Sequence, residues 1–160
     1  MYGRSFVERF KSHLQGGERF ALAEIHPAKI RLSSQSSAIT FVFERYAKED
    51  GDGGCIAFIS RPDELSDGMH VLVLRYILGI GDAPNPEWGV AENTAELFNR
   101  HFQQILDGDF SIQEKYSRAE RRNFFVMLMR VQALPDHDPI KIKAKNFDIT
   151  WMDDLERRSR

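Results

Sequence analysis

Two stretches decide the fold: Ala28-Lys29-Ile30-Arg31-Leu32 and Ile39-Thr40-Phe41-Val42-Phe43-Glu44. In the first, Ala28, Ile30 and Leu32 alternate with Lys29 and Arg31. In the second, Ile39, Phe41 and Phe43 alternate with Thr40, Val42 and Glu44. Side chains of an extended chain point alternately to opposite faces, so a period of two marks strands with one buried face. Residues 33–37 are rich in Ser and read as the turn between them. Working outward, residues 20–25 predict a preceding strand and residues 55–60 a following one. The connections are too short for parallel crossovers, so the strands form an antiparallel meander.

The flanks change to a helical period. Phe6, Phe10 and Leu14 predict an N-terminal helix over residues 5–15, with Ser5 and Glu8 as a capping box and Gly16-Gly17 as its end. Asp67 is a cap for a helix carrying Leu72, Val73, Tyr76 and Ile77. Asn93 and Glu96 form a second capping box, ahead of a buried stripe of Phe98, Phe102, Ile105 and Leu106. Ser117 and Glu120 open a third long helix with Phe124, Leu128 and Val131 on one face. Ile140, Ile142 and Ala144 alternate with Lys141, Lys143 and Lys145, which reads as a last edge strand protected by lysines. The expected fold is therefore α+β. It has an antiparallel sheet of about four to five strands, an N-terminal helix and three further helices packed on the sheet. Residues 1–151 are expected to form a single domain, with residues 152–160 a charged, fraying tail.

Composition bounds the function classes. The chain has 160 residues, 12 of them Phe, and a single Cys. Cys55 excludes an internal disulfide and suits a reducing compartment. Its apolar surroundings in sequence read as a buried small hydrophobe. No apolar run reaches the roughly 18–20 residues that cross a bilayer. The first residues lack a signal-peptide core, so a cytoplasmic location is expected.

No stretch carries a phosphate-binding glycine motif, a nucleophile elbow or a paired-histidine metal motif. Asp50-Gly51-Asp52-Gly53-Gly54 lacks the later ligands of a calcium loop, with Arg61 at the twelfth position, and reads as a hairpin loop. Asp136-His137-Asp138 could orient an imidazole, but it lies between Pro135 and Pro139 and reads as a turn. The reading is a non-enzyme with no cofactor and no metal.

Charge is unevenly spread. Residues 46–114 hold 4 basic and 13 acidic side chains, whereas residues 115–160 hold 11 basic and 7 acidic ones. The acidic middle could steer a basic protein partner. Trp88, in a proline-containing loop beside Glu87, is either a plug over the core or an exposed anchor. Candidate partner contacts are Asp63, Glu64, Asp82, Glu87, Trp88 and Glu92. A competing basic set, Arg118, Arg121, Arg122, Lys141, Lys143 and Lys145, could contact nucleic-acid phosphates. The sequence pI of about 6.2 and net charge of −2 count against that use. A homodimer formed through the apolar third helix is a further option.

The order of elements resembles that of small cytosolic bacterial toxin-immunity proteins. The resemblance runs through residues 28–32 and 39–46. It continues in residues 95–106, running into Asp107-Gly108-Asp109-Phe110-Ser111, and in the Phe-rich third helix. It implies a non-enzymatic inhibitor that binds one toxin domain and blocks a basic active site through acidic and aromatic contacts. No motif transfers family site residues onto this chain.

Overall fold

The computed structural model describes residues 3–26, 29–35, 39–45, 55–61 and 68–159. The fold is α+β, with an antiparallel five-stranded sheet. Where the sequence shows no boundary, the chain divides into two compact units. One comprises Met1–Val71 with Pro84–Phe110, the other Leu72–Ala83 with Ser111–Arg160. Among the described residues, no helix is long and apolar enough to cross a membrane.

The first unit holds the sheet. Its strands are β1 (Ala21–His26), β2 (Lys29–Ser33), β3 (Thr40–Arg45), β4 (Cys55–Ser60) and β5 (Met69–His70), each antiparallel to the next in chain order. The register aligns Leu32, Phe41 and Ile59 across three strands, and Ile30, Phe43 and Ala57 beside them. All six are buried. The alternation in sequence thus becomes one continuous apolar face. Cys55, expected to be buried, is only half-buried at the start of β4.

Helix α1 (Arg4–His13) covers that face. Phe10 meets Phe41 and Phe43 edge-on, with ring centroids 5.2 and 4.9 Å apart, and Phe6 lies 6.2 Å from Phe43. The expected capping box is not used. Gly3 is the N-cap, with φ 84°, so Ser5 already sits inside the first turn. Glu8 instead accepts from Arg4 Nε at 3.0 Å. After α1 the chain enters a tight 3-10 turn, Gly17–Arg19. A Cβ at Gly17 would lie 1.9 Å from the carbonyl oxygen of Lys11. Gly17→Ala should therefore destabilise the fold by about 1–3 kcal/mol, the usual range for overpacking. Urea unfolding of the variant checks this value.

The stripe of Phe98, Phe102, Ile105 and Leu106 is buried as expected. It is carried by two helices, however: Val90–His101, which we number α3, and Gln103–Leu106, α4, interrupted at Phe102. The helix preceding them in the chain is α2 (Val71–Ile77). Asn93 does not cap α3. The helix starts earlier, after Gly89, because the Asn93 side chain turns back onto the preceding loop. The cap expected at Asp67 and the loop at residues 50–54 lie outside the described residues.

The second unit is helical. Apart from α2 it comprises α5 (Gln113–Arg121), α6 (Phe124–Gln132), α7 (Pro139–Lys145) and α8 (Trp151–Arg158). The expected third long helix is thus two helices, because Asn123 adopts the left-handed conformation, φ 56°, and breaks the run. Asn tolerates that conformation better than most residues. Tyr76 of α2, Phe124 and Trp151 form an aromatic core, with Tyr76 5.5 Å from Phe124 and 6.0 Å from Trp151.

The expected last strand, Ile140, Ile142 and Ala144, is helix α7. Asp138 caps it by accepting from Ile140 N at 2.9 Å, and Pro139 takes the first turn, where its missing N–H costs nothing. Only Ile140 and Ala144, four apart, are buried, while Ile142 is 45% exposed. Burial therefore follows a helical period, although the apolar residues alternate in sequence. The expected frayed tail is α8, which buries Trp151, Met152 and Leu155 on one face.

The same Asp138 carboxylate accepts a forked pair of bonds from Arg158, at 2.6 and 3.1 Å. These bonds, with the Ile140 N–H, hold its pKa below the ordinary aspartate value. Asp136 and Asp154 are also lowered, by hydrogen bonds from Lys141 and Lys143 respectively. A depressed carboxyl stabilises the fold fully above its unfolded pKa, about 3.9 for Asp. That stabilisation is lost as pH falls through the lower folded value. The contribution of these carboxylates to the unfolding midpoint should therefore be constant near neutrality and fall below about pH 4. Asp138→Asn should make that fall shallower, which denaturation at stepped pH checks.

Candidate protein interface

In the first unit, the loop between Pro84 and Gly89 is held in one shape by two asparagines. Asn85 Oδ1 accepts from Glu87 N at 2.9 Å, and Asn85 O accepts from Trp88 N at 3.1 Å. Asn93, in the first turn of α3, accepts from Asn85 N at 2.8 Å and donates back to Asn85 O at 3.1 Å. A short polar side chain closing both ends of a loop substitutes for the missing backbone pairing. The loop therefore presents Trp88 from a fixed backbone.

Trp88 is 38% exposed. Its ring meets His13 of α1 edge-on, with centroids 4.5 Å apart. His13 Nε2 lies 3.0 Å from Glu96 Oε2. Asn99 Nδ2 donates to that same carboxylate oxygen at 3.2 Å and to His13 O at 3.1 Å. Hydrogen bonds from Asn99 and His13 hold the Glu96 carboxyl below its ordinary pKa. The indole thus rests on an imidazole held by the Glu96 carboxylate, and Asn99 in turn holds that carboxylate and the His13 backbone. The ring packs against His13 of α1 and is partly open to solvent.

Beside His13 lies an open depression of about 320 Å³, lined by Ser5, Glu8, Arg9, Ser12, His13 and Glu92. Glu92 Oε1 is 3.8 Å from an Arg9 guanidinium nitrogen. Its Oε2 is buried without a hydrogen-bond donor among the described residues. Among the described residues, no group of three or more His, Cys, Asp or Glu side chains could hold a metal ion.

The structure places the candidate contacts unevenly. Glu87, Trp88 and Glu92 come together on the loop and first turn of α3, with Glu87 exposed and Glu92 half-buried against Arg9. Asp82 belongs to the second unit, where its backbone oxygen accepts from Arg75 at 2.6 Å. Asp63 and Glu64 lie outside the described residues. Sequence reasoning missed His13, Glu96, Asn85 and Asn93. Asn85, between two prolines and two residues before Glu87, carried a local turn signal. His13 and Glu96 carried none, being 83 positions apart.

The competing basic set is largely engaged within the second unit. Arg118 pairs with Glu114 at 2.7 Å, and Arg122 pairs with Asp153 and Glu156 at 2.9 and 2.8 Å. Lys141 and Lys145 both face Asp136, at 2.9 and 3.8 Å, and Lys143 pairs with Asp154 at 2.5 Å. Arg121 is exposed at the end of α5. Cations already neutralised by carboxylates displace fewer counterions from a phosphate backbone.

Comparison of the chain with protein-family models, with curated proteins and with solved structures finds no match.

Proposed function

We propose that this chain is a non-enzymatic protein-binding module, an immunity-type inhibitor that docks on a basic toxin domain. The observation that carries the reading is Trp88, a half-exposed indole on a loop clamped by Asn85 and Asn93 and seated against His13. An aromatic anchor held before binding loses little conformational freedom on association. Exposed Glu87 beside it, within the acidic residues 46–114, supplies charge complementary to a basic surface.

The test is affinity capture from source-cell lysate with wild-type protein and with Glu87→Lys, at low and high salt, followed by mass spectrometry. One basic protein, retained by wild type and depleted by the variant and by salt, is the expected result. An identical captured set for both proteins would overturn the reading. The engaged basic set adds a further expectation. The chain should not be retained on immobilised RNA or DNA at low salt.

A further inference from the structure

His13, in the last turn of α1, stands between a carboxylate and an indole. Its Nε2 lies 3.0 Å from Glu96 Oε2, and its ring centroid is 4.5 Å from that of Trp88, at an interplanar angle of 67°. In ordinary surroundings a histidine changes charge between pH 5 and 8. The two charge states make different seats. A neutral imidazole bonds the carboxylate only in the tautomer that carries its proton on Nε2. An imidazolium donates from both nitrogens, pairs with Glu96 as an ion, and attracts an aromatic ring within about 6 Å. Glu96 stays ionised over that range, because hydrogen bonds from Asn99 and His13 hold its carboxyl below the ordinary value. The other charges nearby are mixed in sign. Glu8 and Arg9 of α1 and Glu92 of α3 line the depression beside His13, with Arg9 facing Glu92 at 3.8 Å. Arg100 of α3 holds the other Glu96 oxygen at 3.2 Å. Glu87 on the loop and Glu18 and Arg19 on the turn after α1 are exposed, and Arg19 lies over the Phe20 ring. Glu96 is the charge that the imidazole touches.

We infer that His13 is a pH-responsive seat for Trp88, gripping the indole when the imidazole is protonated and loosening it when the imidazole is neutral. Both neighbours favour the protonated ring, so the grip tightens as pH falls from 8 to 5. The attraction between cation and ring alone shifts the ratio of seated to free indole roughly two- to fivefold. Half-exposed Trp88 has room to leave, because its loop is closed by Asn85 and Asn93 and not by the ring. The seat is a property of the free chain. Its consequence, that docking follows pH, rests on the reading of Trp88 as the anchor.

The test is acrylamide quenching of tryptophan emission from the full chain at stepped pH between 5 and 8, above the range in which the carboxylate pairs are lost. The chain has two tryptophans, and Trp151 is 1% exposed, so quenching reports on Trp88. The quenching constant should fall in one step as the pH is lowered. His13→Phe keeps a ring against the indole without a titratable nitrogen and should flatten the profile. Glu96→Gln removes the charge that favours the imidazolium and should move the step to lower pH by about one unit. Circular dichroism across the same range confirms folding. A wild-type profile without a step, quenching that rises on acidification, or a step that survives His13→Phe would overturn the inference. No partner is present in this experiment. A seat that titrates as expected in a chain that captures no basic protein would strike the docking reading alone.

Discussion

Phe41→Ala should cost about 3–5 kcal/mol of folding stability, the range for removing a buried aromatic side chain. Phe41 is fully buried at the centre of the sheet and touches rings from four directions. Its centroid lies 5.2 Å from Phe10, 5.4 Å from Phe20, 5.1 Å from Phe98 and 6.2 Å from Phe43. Truncation removes the apolar area, leaves a cavity and breaks several edge-to-face contacts at once. The cavity cannot collapse easily, because its walls come from α1, α3, β3 and the segment before β1. Domains of this size hold about 5–15 kcal/mol in total, so the variant should be marginal at room temperature. Urea denaturation followed by circular dichroism checks the value. Phe41→Leu keeps most of the volume and should lose markedly less. Equal losses for Ala and Leu would mean that ring geometry matters more than filled space.

Trp88→Ala should raise the Kd for the basic partner roughly thirtyfold or more, about 2 kcal/mol, without unfolding the protein. The indole is not part of the buried core, and the loop that carries it is closed by Asn85 and Asn93 rather than by Trp88 itself. Circular dichroism and the melting transition should therefore stay close to wild type while binding falls. Asn93→Ala separates anchor from clamp. It leaves the indole in place but removes the bonds to Asn85, so binding should weaken through added loop freedom. Isothermal titration with the captured partner measures both variants. A Trp88→Ala protein that binds as tightly as wild type would remove this residue, and with it the proposed docking face.

The meander was legible in sequence because strand alternation is local. Ile30, Leu32, Phe41 and Phe43 announce both period and buried face within a few residues, and short turns leave only antiparallel pairing. Residues 139–145 misled for the same reason. Ile140, Ile142 and Ala144 alternate with lysines, yet Asp138 and Pro139 are a strong helix start, and a local cap outweighed an accidental period. The break at Asn123 depends on a left-handed backbone that no pattern of apolar residues encodes.

The site divides along the same line. By itself, the sequence determined that Trp88 stands in a loop between proline and glycine, next to Glu87. It also determined that acidic residues gather in the middle of the chain. Only the tertiary structure decided that Trp88 rests on His13, that Glu96 orients His13, and that Asn93 clamps the loop. It also decided that α8 supplies carboxylates to Arg122 and Lys143, turning an apparent basic patch into ion pairs. Backbone preferences and side-chain periods act over a few residues and can be read in order. Pairings between residues tens of positions apart arise only when helices and strands pack, and packing selects among many partners of equal local merit.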